Sequence, residues 1–345
     1  MREISFPYGL HRYGSIAIVG MAKNTGKTEC LNFVLARMHE EGFNPAVTSI
    51  GVDGESVDVV THTGKPEITL REGTLFVTSE SFYKTRRLTS EVYETGQRQT
   101  ALGKLVTAKV VTPGKVILAG PSDAASVRRL IKKFNAQGIR PVIVDGALSR
   151  VSTAAPTVTE ALILATGAAL SPRPEEIVRR TAFLCRLIDL PQVAEPTAKS
   201  LEGIEVGVWG LSDEGAVDLG IKTALSLTGH KGEIVSFLRG KGKTLYIGGA
   251  VTDGVLTFFN SIPESKEMTL VIRDFTCMFA GPLPYATFMK RGAQIKVLHK
   301  PRLLGICVNP VSPEGYHVDS SSLCRQIEET TGYPAVDLRR EKIEG

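Results

Sequence analysis

The 345-residue chain lacks the paired cysteines and clustered histidines that mark a disulfide-stapled or metal-caged protein. Its five cysteines are odd in number and lie far apart, and no two of them form a Cys-x-x-Cys pair. Its six histidines form no His-x-x-x-His motif and no cluster with cysteine. We therefore expect neither a disulfide framework nor a structural zinc site, and the cysteine usage predicts a reducing compartment.

Long apolar runs and a strong charge of one sign are also missing. No run approaches the roughly 18 apolar residues of a membrane-spanning helix, and the N-terminus lacks the pattern of a signal peptide. The 41 basic and 36 acidic residues leave a net charge of +5, which is too small and too scattered to predict nucleic-acid binding. We expect a soluble, cytoplasmic protein with no membrane and no nucleic-acid partner.

Two common nucleophile motifs are absent as well. The sequence contains no Gly-x-Ser-x-Gly elbow, which excludes the usual hydrolase arrangement. Cys307 and Cys277 lack the glycine-rich elbow of a glutamine amidotransferase nucleophile. We expect both cysteines to be buried structural residues.

What the chain does contain is a strand, a loop and a helix near its start. Residues 16–19 are apolar and predict a buried strand. Apolar side chains then recur at helical spacing at Leu31, Val34, Leu35 and Met38. The loop between them reads Gly20-Met21-Ala22-Lys23-Asn24-Thr25-Gly26-Lys27-Thr28. Backbone amides in such a loop and the positive end of the helix point at one anion, so the arrangement predicts a phosphate site.

The loop assigns a role to two of its side chains. Lys27 would reach the outer phosphates as a point charge, and the Thr28 hydroxyl would bind a Mg²⁺ ion that bridges phosphate oxygens. The predicted nucleotide-binding residues are Gly20, Lys23, Asn24, Thr25, Gly26, Lys27, Thr28 and Glu29. We expect the ligand to be ATP with Mg²⁺, and GTP stays an alternative because no base-reading tetrapeptide stands out. A plain strand-to-helix turn that carries the triplet is the other interpretation.

A second Gly-Lys-Thr triplet provides an internal comparison. Gly242-Lys243-Thr244 runs into the apolar residues 245–247, which predict a strand and offer no helix end to an anion. We interpret this copy as a charged turn. The first copy places Gly20 one residue before the usual opening glycine, which makes it similar to the loops of dethiobiotin synthetase and the cobyrinate amidases.

Metal ligands besides Thr28 are expected at strand ends near the loop. Asp145 follows the apolar residues 141–144 and is the best-placed acid, with helix capping as its alternative role. Asp53 lies in a glycine-flanked loop after the predicted strand 46–50, where Asp-Gly turn formation is the alternative. The predicted metal ligands are Thr28, Asp53 and Asp145. Weaker candidates in the same regions are Glu55, Asp58 and, for charge stabilisation, Arg150.

Predicted strands and helices alternate along the whole chain. The strands are predicted at residues 46–50, 74–78, 116–119, 141–145, 161–165, 245–250, 270–274, 295–298 and 303–308. This alternation predicts an α/β fold with a mostly parallel, P-loop NTPase-like sheet and ligands beyond the carboxyl ends of the strands. The proline-containing stretch 191–203 looks like a linker. We therefore predict a nucleotide-binding domain at 1–195 and a second α/β unit at 196–345 that is available for partner contact.

Four segments together resemble one family: residues 19–28, 49–55, 144–147 and the late Val308-Asn309-Pro310-Val311-Ser312-Pro313. The chain resembles the KamB subunits of the lysine 5,6-aminomutase reactivase from the loop to its C-terminus. The resemblance implies a nucleotide-binding protein of lysine fermentation that works beside a MutS-like ATPase. Its implied task is to release damaged cobalamin from an adenosylcobalamin-dependent aminomutase, with slow, partner-dependent nucleotide turnover.

Two other functions stay open at this point. A ligase similar to dethiobiotin synthetase would phosphorylate a small carboxylate or carbamate and would form ADP only with its substrate. A non-catalytic module would bind the nucleotide to stabilise the second half of the chain for contact with another protein.

Overall fold

The computed structural model describes residues 6–50, 67–100, 102–147, 158–213, 215–240 and 242–338. These residues form strands β1 Ser15–Gly20, β2 Ala46–Ser49, β3 Ile68–Leu70, β4 Leu75–Ser79, β5 Arg87–Thr100, β6 Gly103–Val116, β7 Val142–Ala147, β8 Ala161–Gly167, β9 Val208–Ser212, β10 Gly215–Ile221, β11 Thr244–Ile247, β12 Thr269–Ile272, β13 Gln294–Val297, β14 Arg302–Asn309 and β15 Ala335–Asp337. The helices are α1 Lys27–Glu40, α2 Glu80–Lys84, α3 Ala124–Ala136, α4 Pro174–Ile188, α5 Glu195–Ser200, α6 Lys231–Gly240, α7 Asp253–Asn260, α8 Pro282–Lys290 and α9 Ser320–Thr331.

The larger sheet confirms the predicted α/β class. Its strands follow the order β15-β14-β8-β1-β7-β2-β4-β6-β3, and β5 pairs with β6 beside this row. Neighbouring strands from β15 to β4 run parallel, whereas β6 is antiparallel to β4, β3 and β5. The carboxyl ends of β1, β7, β8 and β14 therefore lie at one edge of the sheet, where open α/β sheets bind their ligands.

Buried apolar side chains cover both faces of this sheet. Ile16 and Ile18 of β1 face the same cluster as Leu31 of α1. Val142 and Val144 of β7 belong to a second cluster that includes residues of α3. Because successive strand residues point to opposite faces, helices cover the sheet on both sides.

The same alternation decides which polar residues share a face with α1. Ile143 of β7 belongs to the α1 cluster, so Asp145, two residues later, points to that face. Cys307 of β14 also belongs to the α1 cluster, so Asn309 points there as well. Two polar side chains are thus directed to the same side of this sheet edge.

A second sheet has the order β10-β9-β11-β12-β13. Strands β11, β12 and β13 run parallel, and β9 is antiparallel to both of its neighbours. The three parallel strands lie where the sequence predicts strands in the second half of the chain. The second Gly-Lys-Thr triplet leads directly into β11, as predicted, and Lys243 donates a hydrogen bond to the carbonyl oxygen of Glu264 at 3.2 Å.

The division of the chain differs from the predicted boundary at residue 195. One compact unit runs up to Ala182 and resumes at Pro301, and the other is Phe183–Lys300. The last part of 196–345 therefore belongs with the first half. The reason is a strand pairing: β14 pairs in parallel with β8, with Asn309 opposite Gly167. The stretch that looks like a linker contains α5 and belongs to the second unit.

Among the described residues, no helix combines the length and the apolar character needed to cross a membrane.

Candidate functional site

The loop after β1 folds back over the end of its own strand. A Cβ atom at Gly20 would lie 2.9 Å from the Thr25 hydroxyl and 3.4 Å from Lys27 Cβ. Thr25 is buried, and its hydroxyl donates to the carbonyl oxygen of Ala22 at 2.9 Å. The missing side chain at Gly20 is therefore what allows the loop to close this tightly.

Two residues of the loop have left-handed backbone conformations. Asn24 has φ 63° and Gly26 has φ 85°. Gly26 is the N-cap residue of α1, and its carbonyl oxygen accepts the first helical hydrogen bond, from Cys30 at 2.8 Å. A glycine cannot supply the side-chain oxygen that caps many helices, so an anion is suited to take that place at the first turn.

Lys27 and Asp145, two residues predicted independently, form an ion pair at this site. Lys27 Nζ lies 2.6 Å from Asp145 Oδ1, and the two side chains are 27% and 18% exposed. Parallel pairing of β1 with β7 places Ile18 opposite Asp145, which brings the carboxylate next to the loop. The lysine of the loop is thus neutralised by the acid that sequence analysis selects as a metal ligand.

Asn309 lies beside the loop, although the sequence marks it only as part of a segment of family resemblance and not as a site residue. A Cβ atom at Gly26 would lie 2.7 Å from Asn309 Cβ and 3.1 Å from Asn309 Nδ2. The Oδ1 atom of Asn309 accepts a hydrogen bond from the backbone of Val311 at 3.2 Å. Asn309 directly follows a predicted strand, which is a position typical of site residues in parallel sheets. Its place beside the loop depends on the pairing of β14 with β8, which the sequence alone does not reveal.

The turn after β14 is held against the end of β8. Val318 donates its backbone N–H to Pro310 O at 3.0 Å, and the Tyr316 hydroxyl donates to Ala168 O at 2.6 Å. A side chain at Gly167 would overlap the backbone of Asn309. The distinctive Asn-Pro-Val-Ser-Pro segment is therefore an ordered turn beside the loop.

The start of the loop is fixed by β8 and α4. Met21 donates its backbone N–H to Ala165 O at 3.0 Å. The Thr181 hydroxyl donates to the Met21 sulfur at 3.5 Å and shares a 2.9 Å hydrogen bond with the Thr166 hydroxyl. These buried contacts set where the loop leaves the sheet.

The remaining predicted residues divide into two groups. Lys23 and Asn24 are exposed in the loop, whereas Thr28 and Glu29 are half-buried in the first turn of α1. The other candidates lie outside the described residues: Asp53, Glu55, Asp58 and Arg150. The structure thus brings the loop, Lys27 and Asp145 together and leaves the role of Asp53 a prediction.

A metal ion at this site would depend on oxygen ligands. Within the described ranges, no group of three or more His, Cys, Asp and Glu side chains is placed to hold a metal. The hydroxyl of Thr28 and the carboxylate of Asp145 are the ligand types that Mg²⁺ prefers, and phosphate oxygens would complete its coordination. The donor set therefore suits Mg²⁺ that arrives with a nucleotide.

The cysteines nearest the loop are not suited to nucleophilic chemistry. Cys30 of α1 and Cys307 of β14 are both fully buried. Burial, followed by a hydrogen bond with Cys30, raises the pKa of Cys307 well above its ordinary value. Since the thiolate is the reactive form, Cys307 is a structural residue, as predicted, and Cys30 packs beside it in the same buried cluster.

The sequence and the fold were also compared with known proteins. No protein-family model matches the chain, and neither a curated protein nor a solved structure matches it.

Proposed function

We propose that the protein binds a purine nucleoside triphosphate, ATP with Mg²⁺, through the loop Gly20–Thr28. The observation that supports this most strongly is the 2.6 Å contact between Lys27 and Asp145 beside a glycine-capped helix. A cation, a carboxylate and a helix N-terminus at one sheet edge supply the three elements that a metal-bound polyphosphate needs.

Binding would exchange the partners of Lys27 and Asp145. The ammonium group of Lys27 would bind the γ- and β-phosphate oxygens, and the carboxylate of Asp145 would hold Mg²⁺, directly or through water. Each charge keeps an opposite charge beside it throughout this exchange. The ligand-free pair therefore keeps both side chains in place for the nucleotide.

We further propose that nucleotide binding serves as a switch in a reactivating complex. The four segments that resemble KamB subunits support this role, in which a MutS-like ATPase and an adenosylcobalamin-dependent lysine 5,6-aminomutase are the partners. A nucleotide shifts a conformational equilibrium only by binding one state more tightly than the other. In this proposal, the complex with ATP favours the open aminomutase from which damaged cobalamin leaves, and the setting is the cytoplasm.

Calorimetry with Mg²⁺ and ATP tests the binding step. We expect Lys27→Ala to raise the Kd by roughly 10- to 100-fold, because a hydrogen bond to a charged group is lost. Lys243→Ala is the matched control, since Lys243 belongs to the same triplet but precedes a strand, and it should leave the Kd unchanged. Absence of binding by the wild type, or equal effects of the two substitutions, would contradict the proposal.

Reconstitution with the two partners tests the switch. We expect slow ATP turnover by the protein alone, faster turnover with the MutS-like ATPase and inactivated aminomutase, and recovery of aminomutase activity that needs added adenosylcobalamin. Rapid turnover without partners would contradict the switch. ADP formation that depends on a small carboxylate substrate would instead support the ligase alternative.

A further inference from the structure

The strand order places two kinds of side chain on opposite flanks of β1. Asp145 lies near the carboxyl end of β7, which pairs directly with β1 on one side. Asn309 ends β14, which lies beyond β8 on the other side. Both point to the face that α1 covers. The loop therefore has an acidic flank at Asp145 and an amide flank at Asn309.

This order fixes the direction of the proposed nucleotide. Lys27 contacts Asp145, so the outer phosphates and Mg²⁺ belong on the β7 flank. The loop amides follow the phosphate chain across the N-terminus of α1. The nucleoside then extends towards the β14 flank, where Asn309 lies beside Gly26.

The side-chain amide of Asn309 is oriented by its own turn. Oδ1 accepts from the Val311 backbone at 3.2 Å, which fixes the plane of the amide and directs Nδ2 towards Gly26. In the part of the chain that the structure describes, Nδ2 makes no hydrogen bond, and Asn309 is only half-buried. A held, partly accessible N–H₂ group beside the loop is a donor available to a ligand.

We propose that Asn309 is a further nucleotide-binding residue, whose Nδ2 donates a hydrogen bond to the nucleoside part of the nucleotide. The acceptors are oxygen or nitrogen atoms of the ribose and purine. This inference rests on the proposed function, because it takes the position of the phosphates from Lys27. The competing explanation is that Asn309 only braces the turn at Gly26.

Asn309→Ser separates these two roles. Serine keeps a Cβ atom against Gly26 and an oxygen that accepts from Val311, since Ser and Asn form similar turns with the backbone two residues on. It removes the Nδ2 donor without adding a charge. Asn44→Ser, at an exposed position of the same compact unit, is the matched control.

Calorimetry with two ligands, Mg²⁺·ATP and magnesium tripolyphosphate, provides the test. Tripolyphosphate offers the phosphates without the nucleoside. We expect Asn309→Ser to raise the Kd for ATP roughly tenfold and to change that for tripolyphosphate less than about twofold. Lys27→Ala should raise the Kd for both ligands, and Asn44→Ser should leave both values unchanged.

Each other outcome is informative. If Asn309→Ser lowers the affinity for both ligands equally, Asn309 only supports the turn at Gly26. If it lowers neither affinity, Asn309 has no role in binding. Both results would overturn the inference. Failure of the wild type to bind either ligand would instead reject the proposed function. If Asn309→Ser does not fold, the wild type still decides, because equal affinity for ATP and tripolyphosphate would leave no nucleoside contact for Asn309 to make.

Discussion

At the scale of single residues, the most informative feature is that Lys27 and Asp145 neutralise each other. Their 2.6 Å contact is half-buried. An anion that binds Lys27 has to displace the carboxylate of Asp145, so the ion pair competes with it. In the same way, a cation that binds Asp145 has to displace the ammonium group of Lys27. Nucleotide and Mg²⁺ are therefore expected to bind together more readily than either binds alone.

Replacement of Asp145 by Asn tests this competition. Without the carboxylate, Lys27 is free for phosphate, so we expect ATP measured in excess chelator to bind about fivefold more tightly. The gain in affinity that Mg²⁺ gives should become smaller, because the proposed metal ligand is lost. Asp218→Asn, in the second sheet, should change neither value. Unchanged affinity in chelator for Asp145→Asn would show that the pair does not limit binding.

Thiol reactivity is a second property decided residue by residue. Four cysteines are buried, and Cys324 of α9 is partly exposed. Burial raises the pKa of Cys277 and Cys307, which keeps their thiols protonated. We expect a maleimide to modify Cys324 first under native conditions, as read by mass spectrometry of peptides. Equal labelling of all five cysteines before unfolding would contradict the packing described for the core.

How far the sequence defines the site also depends on the residue. Lys27 and Asp145 could be predicted because the motif and a strand-end acid each carry a local signal. Asn309 could not be placed, because its neighbour Gly26 is distant in sequence and the two meet only through the pairing of β14 with β8. Residues that reach the site only through the order of strands in the sheet have no local sequence pattern that identifies them.

At the scale of secondary-structure elements, the parallel strands were predictable and the antiparallel ones were not. Strands β1, β2, β4, β7 and β8 are short apolar runs with clear helical neighbours. The long pair β5 and β6 has several irregularities in register, and its exposed residues break the apolar alternation. The predicted strand at 116–119 coincides with the strand only at Val116, the last residue of β6.

The start of α3 gives an element-scale prediction with an internal control. Asp123 is the N-cap residue of α3, and its carboxylate accepts a hydrogen bond from the Ser126 backbone N–H at 2.8 Å. We expect Asp123→Ala to lower the free energy of unfolding by about 1 kcal/mol. Ser122→Ala should have little effect, because Ser122 precedes the cap. Urea unfolding of both variants measures the difference, and equal losses would contradict this assignment of the cap.

At the scale of the whole molecule, a buried thiol and a buried phenol with raised pKa values predict how the free energy of unfolding varies with pH. Burial raises the pKa of Cys185 from 9.0 to about 12 and that of Tyr246 from 10.0 to about 12. Between the ordinary and the raised values, the folded chain binds more protons than the unfolded chain. The free energy of unfolding should therefore fall as the pH rises above about 9 and level off only above the folded-state values.

Urea unfolding near neutral pH and at about pH 10.5 measures this loss. Tyr246→Phe removes one of the groups and should reduce the pH dependence. Tyr93→Phe is the control, since Tyr93 is 52% exposed and should leave the dependence unchanged. A stability that stays constant over this range would show that the buried groups titrate at their ordinary values.

The late position of β14 in the chain has a consequence for biosynthesis. The second compact unit separates β8 from the strand that pairs with it, so a growing polypeptide emerges from the ribosome with β8 unpaired on that side until residues 302–309 follow. Asn309 reaches Gly26 only after the ribosome has added the 283 residues that separate their positions in the sequence. A nascent chain interrupted before β14 therefore carries the glycine loop without Asn309 beside it.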